Sequence, residues 1–296
     1  MFRNVRFFRF DGEWPKTEET VSAELAKCQF RPCGPLTEKS SGWVPVDTGG
    51  GDSLARRVNG ADLIRLRTQS RVLPAAVINE ALEERVEQFR SRMGEDPKPR
   101  EKRRLKAELR DELMSKALLK SDHTWGYVDP SEKVIAVDVA SATRAERFVD
   151  YFKVPYDRLD IKPLASKEPI GGLLTRIFLG DAPARFHVGR ECRMRDAKDA
   201  GSSVRWTNFD LTDPTIRNHV ADGMHLTHLA IEYDNVLSCV IDQDGVLTKL
   251  KLVGGDDADT RSNNDPLARL DAEFVLLTGT LRQLLGDLNK LLGGFG

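Results

Sequence analysis

The sequence predicts an α+β protein with mixed or antiparallel sheets, a projecting helical hairpin and a long C-terminal helix. Three observations predict this class. Short alternating segments recur in both halves of the chain, two amphipathic helical segments follow each other in its middle, and leucines recur every three or four residues near its end. With 296 residues, the chain is long enough for one large domain or two ordinary ones.

The N-terminal part of the chain predicts strands with one helix among them. Strands are predicted over residues 5–10, 42–46 and 62–68. Residues 17–29 have the pattern of a short amphipathic helix, which Thr17 or Thr20 caps. In the third strand, Arg65 and Arg67 share one face because side chains alternate along a strand.

The middle of the chain predicts a helical hairpin. Apolar residues fall at spacings of three and four over residues 75–93, and again from Leu105 to Ala117. The six residues between the helices, 94–99, include two prolines and favour an antiparallel pair. We predict that residues 75–120 form a projecting arm, the tip of the fold.

The chain then returns to the central domain. Strands are predicted at residues 124–129 and 133–139, followed by a helix that Ser141 caps. Residues 155–168 contain proline and lysine and few apolar residues, which predicts a linker. The predicted domains are a central α+β domain (residues 1–74 and 121–160), the arm (residues 75–120) and a C-terminal α+β base domain (residues 161–296).

The base domain predicts a sheet with helices. Strands are predicted at residues 185–195, 203–209, 225–233, 236–242 and 246–252, and helices at 169–179 and 213–222. Leucines from Leu267 to Leu291 predict a last helix about 40 Å long. We expect it to lie on the sheet, the alternative being an intermolecular coiled coil. Gly279 and Gly286 share one side of this helix, which predicts close backbone packing there.

Composition excludes several classes of protein. The chain has 45 Lys+Arg and 46 Asp+Glu, so any nucleic-acid binding requires cations segregated onto one face. It has no run of 18 apolar residues and no signal-peptide pattern, which predicts a cytoplasmic protein. The four cysteines are then reduced, and we expect them to be buried structural thiols.

The motifs give no indication of an active site. The glycine run at residues 49–51 lacks the Lys-Ser or Lys-Thr pair of a phosphate-binding loop, and no nucleophile signature is present. His225 and His228 are three residues apart on a predicted strand, so we expect them on opposite faces and sharing no metal. We therefore predict no catalytic activity, no cofactor and no metal site.

Two sets of basic residues suggest contact with a polyanion. One starts the second helix of the arm, and its alternative is a solvated helix start with ion pairs along the helix. The other alternates on strands, with Arg185 nearby, and predicts a sheet with one apolar and one cationic face, which fits a sugar–phosphate backbone. Its alternative is the ordinary outer face of an antiparallel sheet. The candidate DNA-binding residues are Arg65, Arg67, Lys98, Arg100, Lys102, Arg103, Arg104, Lys106, Arg193, Arg195, Arg205, Lys249 and Lys251.

Several segments together resemble the family of the bacterial recombination-associated protein RdgC. They are FRPCG (30–34), GWVP (42–45), VNG (58–60), LP (73–74) leading into VI (77–78), VDVASATRAE (137–146), DLTDPTIRNHVADG (210–223) and DAEFVLLTGTL (271–281). The resemblance runs from about residue 5 to the C-terminus. Where it leads one to expect lysines, around residues 207–209 and just after Gly223, this chain has Thr207, Asn208 and Phe209, and then Met224 and His228.

The resemblance implies a nucleoid-associated, cytoplasmic protein that binds DNA with little sequence preference. It implies a homodimeric ring around a positively lined hole, and inhibition of RecA-dependent recombination by occupying DNA. It also implies a dimer contact at the arm, for which we predict Leu118 and Leu119, placed near the end of its second helix. The alternative is that these leucines pack onto the parent domain.

Two other functions stay open at this point. The chain could be a protein-interaction adaptor in recombination or replication whose DNA contact is incidental. It could also be an unrecognised nuclease, although no carboxylate cluster is legible in the sequence.

Overall fold

The computed structural model describes residues 2–47, 49–199, 201–253 and 266–296. Two compact units divide the chain. The large unit comprises Met1–Lys27, Pro45–Arg65 and Trp125–Gly296, and the small unit comprises Cys28–Val44 and Leu66–Thr124. The predicted α+β class is confirmed, because both units combine helices with strands.

Seven strands form the first sheet. They are β1 (Arg6–Asp11), β2 (Lys39–Val44), β3 (Ala55–Val58), β4 (Ala61–Val72), β5 (Leu118–Asp129), β6 (Val134–Val137) and β7 (Asp160–Pro163). Their order is β2-β4-β5-β6-β1-β7, with β3 paired to β4. The registers of β1 with β6 and β7, of β3 with β4, and of β5 with β6 are antiparallel. β4 and β5 are long enough that each passes from one unit into the other.

Two of these strands differ from the sequence prediction. β3 was not predicted, and β7 lies inside residues 155–168, so the predicted linker is wrong. β7 pairs with β1 and buries Ile161, while Leu159 just before it is also buried. Four residues with one buried side chain and a proline give too short an alternation for sequence analysis to detect.

Helices accompany the first sheet in each unit. In the large unit, α1 (Glu18–Ala26) is capped by Thr17, whose side chain accepts the backbone N–H of Thr20, and α4 (Ala142–Lys153) follows Ser141. In the small unit, α2 (Ala75–Met93) and α3 (Pro99–Lys116) form the predicted pair.

The end of α3 corrects one prediction. α3 ends at Lys116, and Leu118 and Leu119 are the first residues of β5 rather than the end of a helix. They are 79% and 47% exposed. The leucine stripe of α3 runs through Leu113, but the backbone changes from helical to extended at Ala117, so the helical pattern does not continue to Leu118 and Leu119.

The second sheet belongs to the large unit and matches the prediction closely. Its elements are α5 (Ile170–Leu179), β8 (Phe186–Asp196), β9 (Ser203–Thr207), α6 (Pro214–Ala221), β10 (Met224–Tyr233), β11 (Leu237–Asp242) and β12 (Leu247–Leu252). The strand order is β12-β11-β10-β8-β9, and all four pairings are antiparallel. Asp213 caps α6, and Gly245 takes a positive φ of 77° in the hairpin turn between β11 and β12.

The last helix, α7 (Pro266–Leu291), shares one hydrophobic core with this sheet, as predicted. Leu277, Leu281 and Leu284 of α7 lie in the same buried cluster as Leu229 and Ile231 of β10. The prediction of close packing at Gly279 and Gly286 is wrong. A Cβ built on either glycine meets no atom of the described residues within 4 Å beyond the helix's own neighbouring backbone.

The prediction that the cysteines are buried thiols is confirmed for three of the four. Cys33, Cys192 and Cys239 are buried, Cys28 is half-buried, and all four are free. Burial raises the pKa of Cys192 and Cys239 to about 12, so neither is a reactive thiolate near neutral pH. Within the described ranges, no helix combines the length and the apolar character that a membrane crossing requires.

Candidate nucleic-acid interface

One face of the second sheet carries rows of cations. Arg193 of β8 stands directly opposite Arg205 of β9, and Arg195 stands opposite Ser203. Between them along β8, Cys192 and Met194 point into the core and are fully buried. Residues of β8 therefore alternate between an apolar face and a cationic face, as the sequence predicted. We call the cationic side the sheet face.

A β-bulge brings two histidines onto the sheet face. On β10, Leu226 pairs with Met194 and His228 pairs with Arg193, so Thr227 is an extra residue between them. His225 pairs with Arg195. Opposed residues of antiparallel strands point to the same side, so both histidines lie with the arginines. The prediction that they lie on opposite faces is wrong, because the bulge shifts the alternation by one residue.

An acidic residue offsets part of this positive charge. Glu191 of β8 accepts a hydrogen bond from Arg205 at 2.7 Å and another from Lys249 of β12. Burial by itself raises the pKa of Glu191, but the bonds from Lys249 and Arg205 outweigh it and hold this pKa below its usual range. Lys249 reaches Glu191 from a left-handed backbone conformation with a φ of 53°, beside a bulge in β12.

Three cations of the sheet face are not used in this way. Lys251 of β12 stands opposite Ser238 of β11, and Asp242 of β11 stands opposite His228. Ser238 and Asp242 are four residues apart on one strand and so share a face, which places Lys251 on the same side of the sheet as His228. The side chains of Arg193, Arg195 and Lys251 make no hydrogen bond or ion pair with any residue that the structure describes. Arg193 and Lys251 are exposed and Arg195 is half-buried. These side chains are therefore available to an anion from outside.

Arg65 and Arg67, two of the three arginines of β4, are engaged within the protein. Arg65 donates to the carbonyl oxygen of Pro45 at 2.6 Å, and its guanidinium lies 5.1 Å from the ring centre of Trp125. Arg67 donates to Ser121 Oγ at 3.0 Å and lies 4.5 Å from the ring centre of Phe30. Arg185 likewise forms an ion pair with Asp287. Arg65 and Arg67 are half-buried, and their predicted role toward DNA stays a prediction.

The cations of α3 divide between two sides of the helix. Arg100, Arg103 and Arg104 are exposed on one side, at helical spacings of three and one. Lys102 and Lys106 line a cleft of about 490 Å³ between α2 and α3, together with Glu83 and Glu87. Lys106 also donates to Asn79, and Arg104 pairs with Glu108. Lys98 begins the helix, with its backbone N–H bonded to Glu101.

Acidic residues therefore neutralise more of the positive charge in the helix pair than on the sheet face. Residues 75–116 contain eleven Lys or Arg and ten Asp or Glu. Arg104 forms an ion pair along the helix, as the solvated-helix alternative expects, while the side chains of Arg100, Lys102 and Arg103 form no ion pair among the described residues.

Two contributors were missed from the sequence. Glu191 was missed because an acid among alternating cations looks like ordinary surface variation. The sequence did not place both histidines on this face, because a β-bulge cannot be recognised from the hydropathy pattern. Among the described residues, no group of three or more His, Cys, Asp or Glu side chains is placed to hold a metal ion.

Comparison with known proteins supplies a family. Residues 1–295 match a family described as "Putative exonuclease, RdgC". The chain is 31% identical to the Recombination-associated protein RdgC of Aeromonas hydrophila subsp. hydrophila, over 99% of this chain and 98% of the relative. It is 33% identical to the protein of the same name from Halorhodospira halophila and 30% identical to that from Edwardsiella ictaluri, with the same coverage.

Proposed function

The chain belongs to the RdgC family of recombination-associated proteins, and from this premise we propose that it binds duplex DNA without sequence preference through its sheet face. The observation that supports this most is the pairing of Arg193 with Arg205, which sets two like charges directly opposite each other, with His228 next in the same row. Such pairs are unfavourable in an isolated sheet, and a polyanion on the face relieves them.

The proposed mode of binding is contact with the phosphate backbone. Arginine and lysine side chains on a sheet neutralise phosphates and release the counterions condensed on DNA. Among the candidate residues, the side chains of Arg193, Arg195, Lys251, Arg100, Lys102 and Arg103 make no hydrogen bond or ion pair with the described residues. Since none of these contacts reads base edges, affinity is expected to vary little between sequences.

The direct test is fluorescence anisotropy with two labelled duplexes of unrelated sequence. We expect the two Kd values to agree within about threefold, and each to rise at least about tenfold between about 50 and about 200 mM salt. Tight binding to one duplex only, or a Kd indifferent to salt, would contradict the proposal.

We extend the proposal to a homodimeric ring in which two copies pool their cationic faces around DNA. Leu118 and Leu119 support a contact between copies, because two neighbouring leucines at the start of β5 are exposed. Leu118→Asp places a charge in that contact and is expected to yield monomers in light scattering. Leu36→Asp is a matched control, since Leu36 is 70% exposed outside β5. An unchanged dimer mass in Leu118→Asp would remove this residue from the interface.

In the cell we propose a nucleoid-associated, cytoplasmic role in which the bound protein restrains RecA-dependent strand exchange by occupying DNA. In a reconstituted exchange reaction, inhibition is expected to follow the fraction of DNA that the protein covers. Inhibition at concentrations too low to cover DNA would favour the adaptor function instead, in which the protein acts through other proteins.

The family description favours one competing function, an exonuclease. We propose that the protein is not an enzyme, and incubation with end-labelled linear duplex and magnesium decides between the two. Release of labelled nucleotides that increases with protein concentration would establish the exonuclease. Full-length DNA after prolonged incubation, with DNA binding verified in the same buffer, would support the binding function alone.

A further inference from the structure

Two histidines on the sheet face stand beside arginines whose side chains have no partner among the residues that the structure describes. His228 lies opposite Arg193, and His225 lies opposite Arg195. The two pairs are about 7 Å apart along β8, since alternate residues of a strand are separated by that distance. Each pair thus consists of one arginine and one histidine, the residue type that serves proteins as a pH-dependent cation.

Hydrogen bonding fixes which nitrogen of His228 titrates. The hydroxyl of Thr227 donates to the carbonyl oxygen of Arg193 at 3.1 Å, which uses its only hydrogen. His228 Nδ1 lies 3.0 Å from the same hydroxyl oxygen and must therefore be the donor to it. Because Nδ1 carries a hydrogen in both charge states, Nε2 is the nitrogen that gains or loses the proton.

The charges around the histidines differ in sign. His228 faces Arg193 on β8 and Asp242 on β11, with Glu191 and Arg205 farther along the face. Partial burial is the main reason why the pKa of His228 lies below its usual value; Arg193 and Arg205 lower it further, while Asp242 and Glu191 raise it. His225 faces Arg195 and lies near Asp196. His187, also on this face, stands opposite Glu232.

We infer that Arg193, Arg195, His225 and His228 form a proton-linked binding site for backbone phosphates. This inference rests on the proposed function and assigns it a pH dependence. The neutral His228 of the free protein gains a proton at Nε2 when a phosphate approaches, because the anion stabilises the imidazolium. Binding therefore takes up protons and weakens as the pH rises.

The test measures the Kd for a labelled duplex by anisotropy at constant ionic strength between about pH 6 and about pH 8. Phosphodiesters keep their charge across this interval, so a change in Kd reports on the protein. We expect the Kd of the unmodified chain to rise about tenfold over the interval. His225→Gln combined with His228→Gln is expected to give a nearly constant Kd close to the value of the unmodified chain at the higher pH.

Two further variants keep the result interpretable. His228→Lys places a permanent charge at the same position and is expected to bind about threefold more tightly than the unmodified chain at about pH 8. His123→Gln changes an exposed histidine of β5, in the small unit, and is expected to keep the full pH dependence. Together these variants separate loss of the titrating groups from loss of folding.

The possible outcomes distinguish the inference from the function on which it rests. A double variant that keeps the pH dependence, or an unmodified chain whose Kd is constant, overturns the proton-linked site while DNA binding stands. No salt-dependent DNA binding by the unmodified chain at any pH overturns the proposed function itself.

Discussion

β4 and β8 each contain a pair of arginines two residues apart, Arg65 with Arg67 and Arg193 with Arg195, and the two pairs have opposite surroundings. Arg65 and Arg67 of β4 donate to oxygen atoms of the protein and lie against aromatic rings. Arg193 and Arg195 of β8 have no such partners among the described residues, and Arg193 faces another arginine. The same sequence pattern thus gives arginines that bind other parts of the protein in β4 and arginines that form an open cationic surface in β8.

The difference comes from the neighbouring side chains. Beside β4, each guanidinium has one aromatic ring and one oxygen acceptor within the protein. Opposite Arg193 and Arg195 of β8 stand arginine, histidine and serine, and the nearby acid Glu191 is already bonded to Arg205 and Lys249. An arginine indicates a ligand only when its cross-strand neighbours leave it unsatisfied.

Charge reversal is expected to have the largest effect. Arg193→Glu combined with Arg195→Glu replaces two phosphate contacts with two repulsions, and we expect the Kd for DNA to rise by about 100-fold. Arg65→Glu with Arg67→Glu makes the same formal change on β4. Its effect on Kd, measured by anisotropy in the same salt, is expected to be at least about tenfold smaller. Equal effects would erase the contrast between the two strands.

Stability is expected to respond in the reverse order. Arg65→Gln with Arg67→Gln loses two hydrogen bonds and two cation–π contacts, and we expect the free energy of unfolding to fall by about 2 kcal/mol. Arg193→Gln with Arg195→Gln loses no contact of this kind and is expected to change it by less than about 0.5 kcal/mol. Urea unfolding followed by circular dichroism measures both. A larger loss from the β8 pair than from the β4 pair would reverse the interpretation.

The smallest expected effect is a gain in affinity. Glu191→Gln removes the carboxylate that holds Arg205 and Lys249, so both cations become available to phosphate. We expect DNA binding to tighten about fivefold and the salt dependence to steepen. Glu232→Gln, on the next strand of the same face, is a control for the loss of one negative charge. Equal tightening in both variants would mean that overall charge, not the release of Arg205 and Lys249, determines the gain.

Much of the fold could be predicted from the sequence because strong periodicity marks it. The leucines of α7 and the spacing of apolar residues in α2 gave helices whose bounds agree with the structure. The errors fall where the pattern is short or local. β7 has one buried side chain, and Leu118 follows a helical stripe although the backbone has already become extended.

The candidate site could be predicted only in part, for a related reason. The alternation of side chains along a strand predicted that Arg193 and Arg195 share one face, and their cross-strand partners in the structure agree with this. The same rule failed on β10, where the extra residue Thr227 shifts the alternation, so that His225 and His228 lie on the same face. Partners such as Trp125 for Arg65 are distant in sequence, so no local pattern reveals which arginine is already satisfied.

The backbone of Val5 exchanges two hydrogen bonds with Leu247, and Leu250 donates to the carbonyl oxygen of Arg3. Translation at about 5 to 20 residues per second separates the synthesis of Val5 and Leu247 by about 12 to 50 s. During that delay Val5, together with the neighbouring core residues Phe2 and Phe7, lacks its final packing. The nascent chain therefore cannot complete the packing of its first residues until its last strand is made.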